Sequence, residues 1–346
     1  MSDFIGTKLT MNLGERSYDI ILKNGALENL YQFARLDRKV AVVTDSGVPA
    51  QYAQRVADQC REAKIITVPQ GEASKSFKIL ETVLRQMLEF NMGRGDLVVA
   101  VGGGVVGDLA GFAAAIYMRG IDFINCPTTT LSMIDSSIGG KTAVDLGDTK
   151  NIVGAFWQPK LVIVDPATLS TLPRRHYING LAEAVKAGLL ADPELFAIFE
   201  KGDIDTQISE IIYRSLRFKK NVVEQDETER GMRKALNFGH TIGHGIEAVK
   251  GIKGRRTVGL FHGECVALGM LPMIESKALQ KRVRAVYRIG LPTRTTYNKE
   301  KVLAEMLHDK KAQGGQITVI KVPGLGCWRA ETIPVEGLRP LLGVEE

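Results

Sequence analysis

The sequence predicts an α/β first half built on a mainly parallel sheet, followed by a mainly helical second half. Three observations carry this. Up to about residue 170, short β-branched runs alternate with helical patterns, the signature of βαβ units. From about Leu172, strand-like alternation nearly disappears until Gln316 to Val322. Between them, the apolar run Asp96 to Val101 leads directly into the glycine-rich GGGVVGDLAGF (Gly102 to Phe112), where a helix begins. Together these point to an open, Rossmann-like α/β domain of the nucleotide-binding kind.

Taken in order, the expected strands are Lys39 to Thr44, Lys64 to Val68, Asp96 to Val101, Asp122 to Cys126 and Leu161 to Asp165. Between them, Ile79, Val83, Leu84, Met87 and Leu88 recur at helical spacing, and so do Leu109, Ala110, Ala113 and Ile116. In the second half, Ile208, Ile211, Ile212, Leu216 and Val222 mark one long amphipathic helix. The boundary is expected between Asp165 and Pro173, giving an α/β domain over 1–170 and a helical domain over 171–346. No internal repeat or low-complexity segment interrupts this plan.

Composition narrows the class. With 45% hydrophobic and 24% charged residues, disordered, collagen-like and coiled-coil readings fall away. The net charge of +6 suits an anionic small molecule as readily as a nucleic acid, and no nucleic-acid recognition motif is present. Cys60, Cys126, Cys265 and Cys327 lie far apart with no CxxC pairing, so neither a disulfide framework nor a cysteine zinc site is expected. A reducing cytoplasm fits. The start MSDFIGTKLT lacks the layout of an export signal, and no apolar run reaches membrane-spanning length.

Chemistry is concentrated in a few motifs. In GGGVVGDLAGF, glycines strip side chains from a helix N-terminus, whose bare N–H groups attract a pyrophosphate. A tight turn packing strand on helix would use the same glycines. Asp45, in VVTDS, stands where a ribose hydroxyl partner belongs, or serves as an acidic turn residue. PTTTLSMIDSSIGGKT (Pro127 to Thr142) combines hydroxyls, Asp135, a Gly-Gly turn and Lys141, and Lys150 and Asn151 follow. Such a loop suits a polyhydroxylated, phosphorylated ligand; a polar surface loop is the plain alternative.

In LAEAVKAGL, Glu183 and Lys186 share a helix face, the usual spacing of an exposed ion pair. ALNFGHTIGHGIEA and FHGECVALGM change that reading. Of five histidines in the chain, His240, His244 and His262 fall here, the first two one helical turn apart. Two imidazoles plus one carboxylate, with a position left open, make a catalytic divalent site suited to zinc. HExxH is absent, which removes the metalloprotease reading. Arg119, Lys219, Arg233 ahead of Asn237, and Lys310 with Lys311 are further cations, each an ordinary surface charge unless brought together.

In order and spacing, GGGVVGDLAGF, DSSIGGKT, the Lys150-Asn151 pair, AE..K, LNFGHTIGH and HGECVALGM resemble the 3-dehydroquinate synthase family from about Asp45 to Lys311. The resemblance implies an NAD-binding α/β domain, a helical metal-binding domain, an active site in the cleft between them and a cytoplasmic homodimer. It implies conversion of 3-deoxy-D-arabino-heptulosonate 7-phosphate, an anionic sugar phosphate, into 3-dehydroquinate and phosphate. This is a lyase step of the shikimate route to chorismate and the aromatic amino acids. Carried over by position, Glu183, His240 and His262 would hold zinc, or cobalt, and His244 would contact substrate. Asp45, Glu72, Lys75, Gly103, Gly104, Val105, Asp108, Thr128, Thr129, Lys150 and Thr171 match the NAD positions. Asp135, Lys141, Asn151, Lys186, Lys219, Arg233, Asn237 and His244 match those around substrate, with Lys310 or Lys311. Arg119 matches a position reaching the phosphate across the dimer interface.

The implied chemistry runs through transient oxidation by NAD, β-elimination of phosphate, return of hydride, ring opening and an intramolecular aldol closure. Lys141, Asn151, Lys186 and His244 would position the phosphate, and the fork of Arg233, with Lys219 and Asn237, the carboxylate. Another sugar phosphate cyclase, an NAD- and metal-dependent polyol or glycerol-phosphate dehydrogenase, and an inactive binding relative are the competing readings. Three features depart from the family pattern: His176 where an acidic residue often follows the LPxR turn, Gly245 for a common alanine, and a longer loop from Lys250 to Leu260 carrying Arg255 and Arg256.

Overall fold

The computed structural model describes residues 6–147, 149–249, 252, 259–310 and 315–343. By contact density the chain forms two compact units, one comprising residues up to Pro173 together with Ile208–Glu224, the other Arg174–Gln207 with the described residues from Gln225 onward. The division is not a single cut, because the long amphipathic helix groups with the first unit.

The first unit holds strands β1 (Thr7–Met11), β2 (Tyr18–Leu22), β3 (Lys39–Asp45), β4 (Glu62–Val68), β5 (Leu97–Gly102), β6 (Asp122–Pro127), β7 (Lys141–Leu146), β8 (Thr149–Phe156) and β9 (Leu161–Val164). Seven of them form one sheet in the order β1-β2-β9-β6-β5-β3-β4, parallel except for the β1–β2 pair. Every residue of β5 is buried, as a central parallel strand covered on both faces requires. Alternate residues separate the two layers. Ala41, Val43, Val98 and Ala100 pack with Leu80, Val83 and Met87 of α2 (Phe77–Glu89) and with Val106, Leu109 and Ala113 of α3 (Gly104–Ile116). Val40, Val42, Leu97 and Val99 face Tyr52, Ala53 and Val56 of α1 (Ala50–Ala57).

All five expected strands form, with ends shifted by a residue or two. The β1–β2 hairpin and the β7–β8 hairpin escaped the periodicity reading. Strand β8 explains why: only alternate residues near its end are partly buried, and Ile152 and Phe156 are exposed, so no buried face marks it in the sequence. Helix α3 lies between the sheet and β7, and closes on β7 through Gly111: a Cβ there would stand 2.5 Å from Thr142 Cγ2. Travel across the sheet reverses between β3 and β5, and in open α/β sheets ligands bind beyond the strand ends at such a point. Asp45 ends β3, and Gly103 follows the last residue of β5 as the N-cap of α3.

The second unit is built on α4 (Arg174–Leu190), buried at every position from Tyr177 to Leu190. After α5 (Pro193–Lys201) the chain contributes α6 (Ile208–Gln225) to the first unit, then returns as α7 (His240–Ala248), α8 (His262–Met270), α9 (Lys277–Val286) and α10 (Lys299–Lys310). A hairpin of β10 (Gln316–Gly324) and β11 (Cys327–Pro334) and a short α11 (Leu338–Leu342) complete it. Helices α4 and α7 both pack on α8, and α10 packs on α7.

None of the four cysteines is in a disulfide: Cys126 and Cys265 are buried, Cys60 is half-buried with its thiol pushed up to about 11 by desolvation, and Cys327 is exposed on β11. Titration of the native chain with Ellman's reagent at pH 8 is expected to give one fast thiol, and four after denaturation. A second fast thiol in the native chain would contradict the burial pattern.

Candidate active site

Three helices of the second unit converge on one carboxylate. Glu183, in the middle of α4, has a side chain only 2% exposed, and His240 Nε2 and His262 Nε2 stand 3.6 and 3.8 Å from its Oε1. Neither carboxylate oxygen accepts a hydrogen bond, although the Lys186 ammonium forms an ion pair with Oε2. The pair the sequence left as an ordinary surface interaction is therefore almost fully buried. Lys186 Nζ also donates to the Leu236 carbonyl at 2.7 Å, fixing α4 to the turn that leads into α7.

The far nitrogens of the two rings settle their orientation. His240 Nδ1 lies 3.2 Å from the Phe238 carbonyl and His262 Nδ1 lies 2.9 Å from Glu247 Oε2. Carbonyl and carboxylate oxygens only accept, so each Nδ1 carries hydrogen, and each ring, when neutral, presents a bare Nε2 toward Glu183. Burial first, then the charges of Lys186, His262 and His244, hold His240 well below its ordinary range and so keep it neutral. Burial also pulls His262 down, but the hydrogen bond and charge of Glu247 and the charge of Glu183 outweigh it, and its pKa is raised.

Donors of a tetrahedral zinc with bonds of ~2.1 Å stand about 3.4 Å apart, close to the Glu183 spacings. The donor nitrogens of His240, His244 and His262 form a second candidate set, all within 4.8 Å of one another. A buried carboxylate oxygen without a hydrogen bond and two imidazole nitrogens facing it fit a divalent ion.

Residues the motif reading missed frame this centre. Asn179, one turn before Glu183 on α4, accepts from the backbone N–H of Gly263 at 2.7 Å and of Glu264 at 3.3 Å, capping α8 where His262 begins it. Glu264 takes a two-pronged ion pair from Arg175 at 2.8 and 2.7 Å and closes the same turn onto the Phe261 N–H at 2.8 Å. The signal was there in helical spacing: Asn179 is four residues before Glu183, and Glu247 is seven after His240. His176, the first departure, stacks on Phe261 with ring centroids 4.6 Å apart. Gly245 is explained by α10, since a Cβ there would stand 2.5 Å from Met306 Cγ and 3.0 Å from the Val302 carbonyl.

Arg233 is 2% exposed; its guanidinium donates to the Glu227 carbonyl and its backbone N–H to Asp226 at 3.0 Å. Asn237 donates to Glu229 at 2.9 Å. His244 is exposed on α7. Lys310 ends α10, but its side chain, together with Lys311, Arg255, Arg256 and most of the segment from Lys250, lies outside the described residues.

In the first unit, Lys75 sits at the hub of a polar cluster, 2.7 Å from Asp108, 3.8 Å from Glu72 and hydrogen-bonded to Asn151. Burial alone would lower the Lys75 pKa, but the charges of Asp108 and Glu72 more than offset it, and the net shift is upward. Asn151 is held at φ +55° with its N–H on Asp145, so residues expected to serve NAD and substrate meet here. Lys219, 7% exposed, pairs with Asp135 at 3.0 Å and donates to its carbonyl at 2.8 Å, no mere surface charge.

Gly103, the N-cap of α3, has no side chain to satisfy the first N–H groups of the helix, those of Gly104 and Val105. Thr128 N–H donates to the Gly102 carbonyl, and Thr129 bonds Ser132. Asp45 accepts from Gly47 and Val48 N–H, the turn role the sequence left open, and Thr171 meets the Tyr52 hydroxyl at 3.0 Å. Lys141 opens β7 and Lys150 lies on β8, both exposed. Arg119 is exposed in a left-handed turn at φ +71°.

The same fold is found in solved structures of two synthases that hold NAD+ and a divalent metal. The solved structure of 2-deoxy-scyllo-inosose synthase, complexed with carbaglucose-6-phosphate, NAD+ and Co2+, matches with a TM-score of 0.86 at 24% identity, covering 97% of this chain and 99% of that one. The 2-epi-5-epi-valiolone synthase of Streptomyces hygroscopicus subsp. jinggangensis, with NAD+ and Zn2+ bound, matches with a TM-score of 0.83 at 26% identity, covering 96% and 97%. The family described as 3-dehydroquinate synthase N-terminal matches residues 65–179, and that described as 3-dehydroquinate synthase C-terminal matches residues 180–312. Relatives named 3-dehydroquinate synthase are 40% identical in Streptococcus mutans serotype c, over 97% of this chain and 99% of theirs, and 41% identical in Caulobacter vibrioides, over 91% and 92%. The chain belongs to the 3-dehydroquinate synthase family.

Removing the Asn179 cap tests the frame. Two buried N–H groups lose their acceptor at about 1–3 kcal/mol, more than the ~0.5 kcal/mol typical of an exposed ion pair. Asn179→Ala is therefore expected to lower the urea midpoint of the second unit measurably and to weaken metal binding; an unchanged midpoint would contradict the cap.

Proposed function

We propose that this chain is a 3-dehydroquinate synthase, a phosphate-eliminating lyase that converts 3-deoxy-D-arabino-heptulosonate 7-phosphate into 3-dehydroquinate and phosphate. The observation that carries the proposal is the pair of family matches spanning residues 65–312, joined to relatives about 40% identical over nearly the whole chain.

Glu183, His240 and His262 are proposed to hold the divalent ion, zinc or cobalt. The uncapped start of α3 at Gly103, Gly104 and Val105, with Asp45, Glu72, Lys75, Asp108, Thr128, Thr129, Lys150 and Thr171, is proposed to hold NAD. When bound, the ion supplies Lewis acidity to a substrate hydroxyl and NAD a place to park a hydride that is later returned.

The chain's own groups do the rest. Lys141, Asn151, Lys186 and His244 supply donors to the phosphate as it departs, with Arg119 of a second copy proposed to complete that set in a homodimer. Arg233 is proposed for the carboxylate: it is buried and tied at its backbone to Asp226, so its fork is presented with little loss of side-chain freedom. Asn237 and Lys219 are proposed to support it, held in turn by Glu229 and Asp135. Lys310 or Lys311 is proposed to reach substrate as well. No described helix is long and apolar enough to cross a membrane, and a cytoplasmic setting is proposed.

The test is phosphate release from the heptulosonate phosphate with NAD, followed alongside absorbance of reduced nicotinamide. Stoichiometric phosphate without accumulating NADH is expected, abolished by chelator and restored by Zn2+ or Co2+. Steady NADH accumulation with simple polyols would instead indicate a dehydrogenase. Arg233→Lys, keeping charge but losing the fork, is expected to cost about 3 kcal/mol, roughly 100-fold in kcat/KM, with NAD affinity near normal. Unchanged kinetics would remove Arg233 from the carboxylate.

A further inference from the structure

We propose that Glu247 is a positioning residue for the metal, fixing the His262 imidazole in the tautomer and orientation that turn its Nε2 onto the ion. The inference rests on the reading of Glu183, His240 and His262 as ligands and adds a residue that the motifs did not assign.

Glu247 Oε2 lies 2.9 Å from His262 Nδ1. An ionised carboxylate has no hydrogen to give, so the hydrogen in this bond belongs to Nδ1, and a neutral ring with hydrogen on Nδ1 has a free lone pair on Nε2. That Nε2 is the atom 3.8 Å from Glu183 Oε1, the same oxygen that stands 3.6 Å from His240 Nε2. Glu247 therefore sits behind the ring, on the side away from the donor set, and acts through His262 rather than as a ligand.

The two imidazoles are held in different ways, and their surroundings explain the difference. His240 is oriented by the Phe238 carbonyl, two residues before it in the same chain turn, and its side chain is 15% exposed. His262 is the first residue of α8, and its side chain is 30% exposed. A ring at a helix start with that much open surface has more freedom to rotate about its side-chain bonds. A carboxylate brought in from α7 restrains it across the packed α7–α8 pair. Glu247 is suited to this because it shares a face of α7 with His240 and His244, being seven and three residues beyond them. A carboxylate behind the ring also makes the imidazole a stronger donor than a carbonyl would, and outer partners of this kind are typically worth about 10–100-fold in metal affinity.

The experiment is a set of Zn2+ affinities measured by competition with a chromophoric chelator, on the full chain and on Glu247→Ala, Glu247→Gln, His262→Ala and the Glu247→Ala/His262→Ala double variant. The thermal midpoint of each apo chain is recorded beside them. Glu247→Ala is expected to weaken Zn2+ binding about 10–100-fold. Glu247→Gln, whose amide oxygen still accepts from Nδ1–H, is expected to recover most of that loss. In the His262→Ala background, removing Glu247 is expected to change Zn2+ affinity no further, because its effect passes through the ring. Long-range nitrogen-proton NMR of the apo chain, at a pH high enough to leave His262 neutral, should show its hydrogen on Nδ1, and a loss of that preference in Glu247→Ala.

A Glu247→Ala affinity within twofold of the parent overturns the proposal. So does a Glu247→Gln loss as large as that of alanine, which would make charge rather than orientation the cause. An equal Glu247→Ala loss with and without His262 overturns it too, since the carboxylate would then act elsewhere. If His262→Ala itself leaves Zn2+ affinity unchanged, the ligand assignment fails, and this outcome is separate from the three that count against Glu247 alone. A fall in apo thermal midpoint with unchanged Zn2+ affinity marks a purely structural ion pair and also overturns it.

Discussion

Burying a carboxylate is the constraint on which the second unit turns. An ion taken from water into an apolar interior costs several kcal/mol unless it gains partners of opposite charge or good donors. Glu183, 2% exposed, has Lys186 on the same helix and two imidazoles facing it from α7 and α8. Each of those partners is held by something further out: Lys186 by the Leu236 carbonyl, His240 by the Phe238 carbonyl, His262 by Glu247, and the start of α8 by Asn179. The burial of α4 from Tyr177 to Leu190 and the close approach of α10 at Gly245 accord with the same need, since neighbouring helices must pack tightly enough to keep the charged cluster in register.

The first unit answers a different constraint. It gathers polar groups, Asp45 and Thr128 among them, at the carboxyl ends of buried strands, where the chain reverses its travel across the sheet. Small residues there serve closeness as much as turning. Gly111 lets α3 lie against β7, and with it the hairpin whose Asn151 meets Lys75. That hydrogen bond joins two residues which the motifs had placed in different roles, one toward NAD and one toward substrate. Lys219 reaches Asp135 from α6, a helix that follows α4 and α5 in sequence yet groups with the first unit.

What could be read from sequence, and what could not, divides along physical lines. Strands buried on both faces, such as Leu97–Gly102, announce themselves because every position must be apolar. The β7–β8 hairpin did not, because β8 is mostly exposed and its pairing is set by tertiary contact with α3. The proposed donor set was suggested by sequence since histidines are scarce in this chain and three of the five cluster in one region. Its supports were not. Asn179 and Glu247 are ordinary polar residues on amphipathic helices, and their roles depend on which helix lies opposite, a matter of packing rather than of local pattern. Gly245 looked like a loss relative to alanine and proves to be a fit to Met306 and Val302.

Anomalous X-ray scattering at the zinc edge, on crystals of the Zn2+-loaded chain, reaches the central claim most directly. The account predicts one strong peak at ~2.1 Å from a Glu183 carboxylate oxygen, His240 Nε2 and His262 Nε2, with His244 outside the coordination sphere. A peak ligated by the three imidazoles with Glu183 left out, or no peak near these side chains, would contradict it.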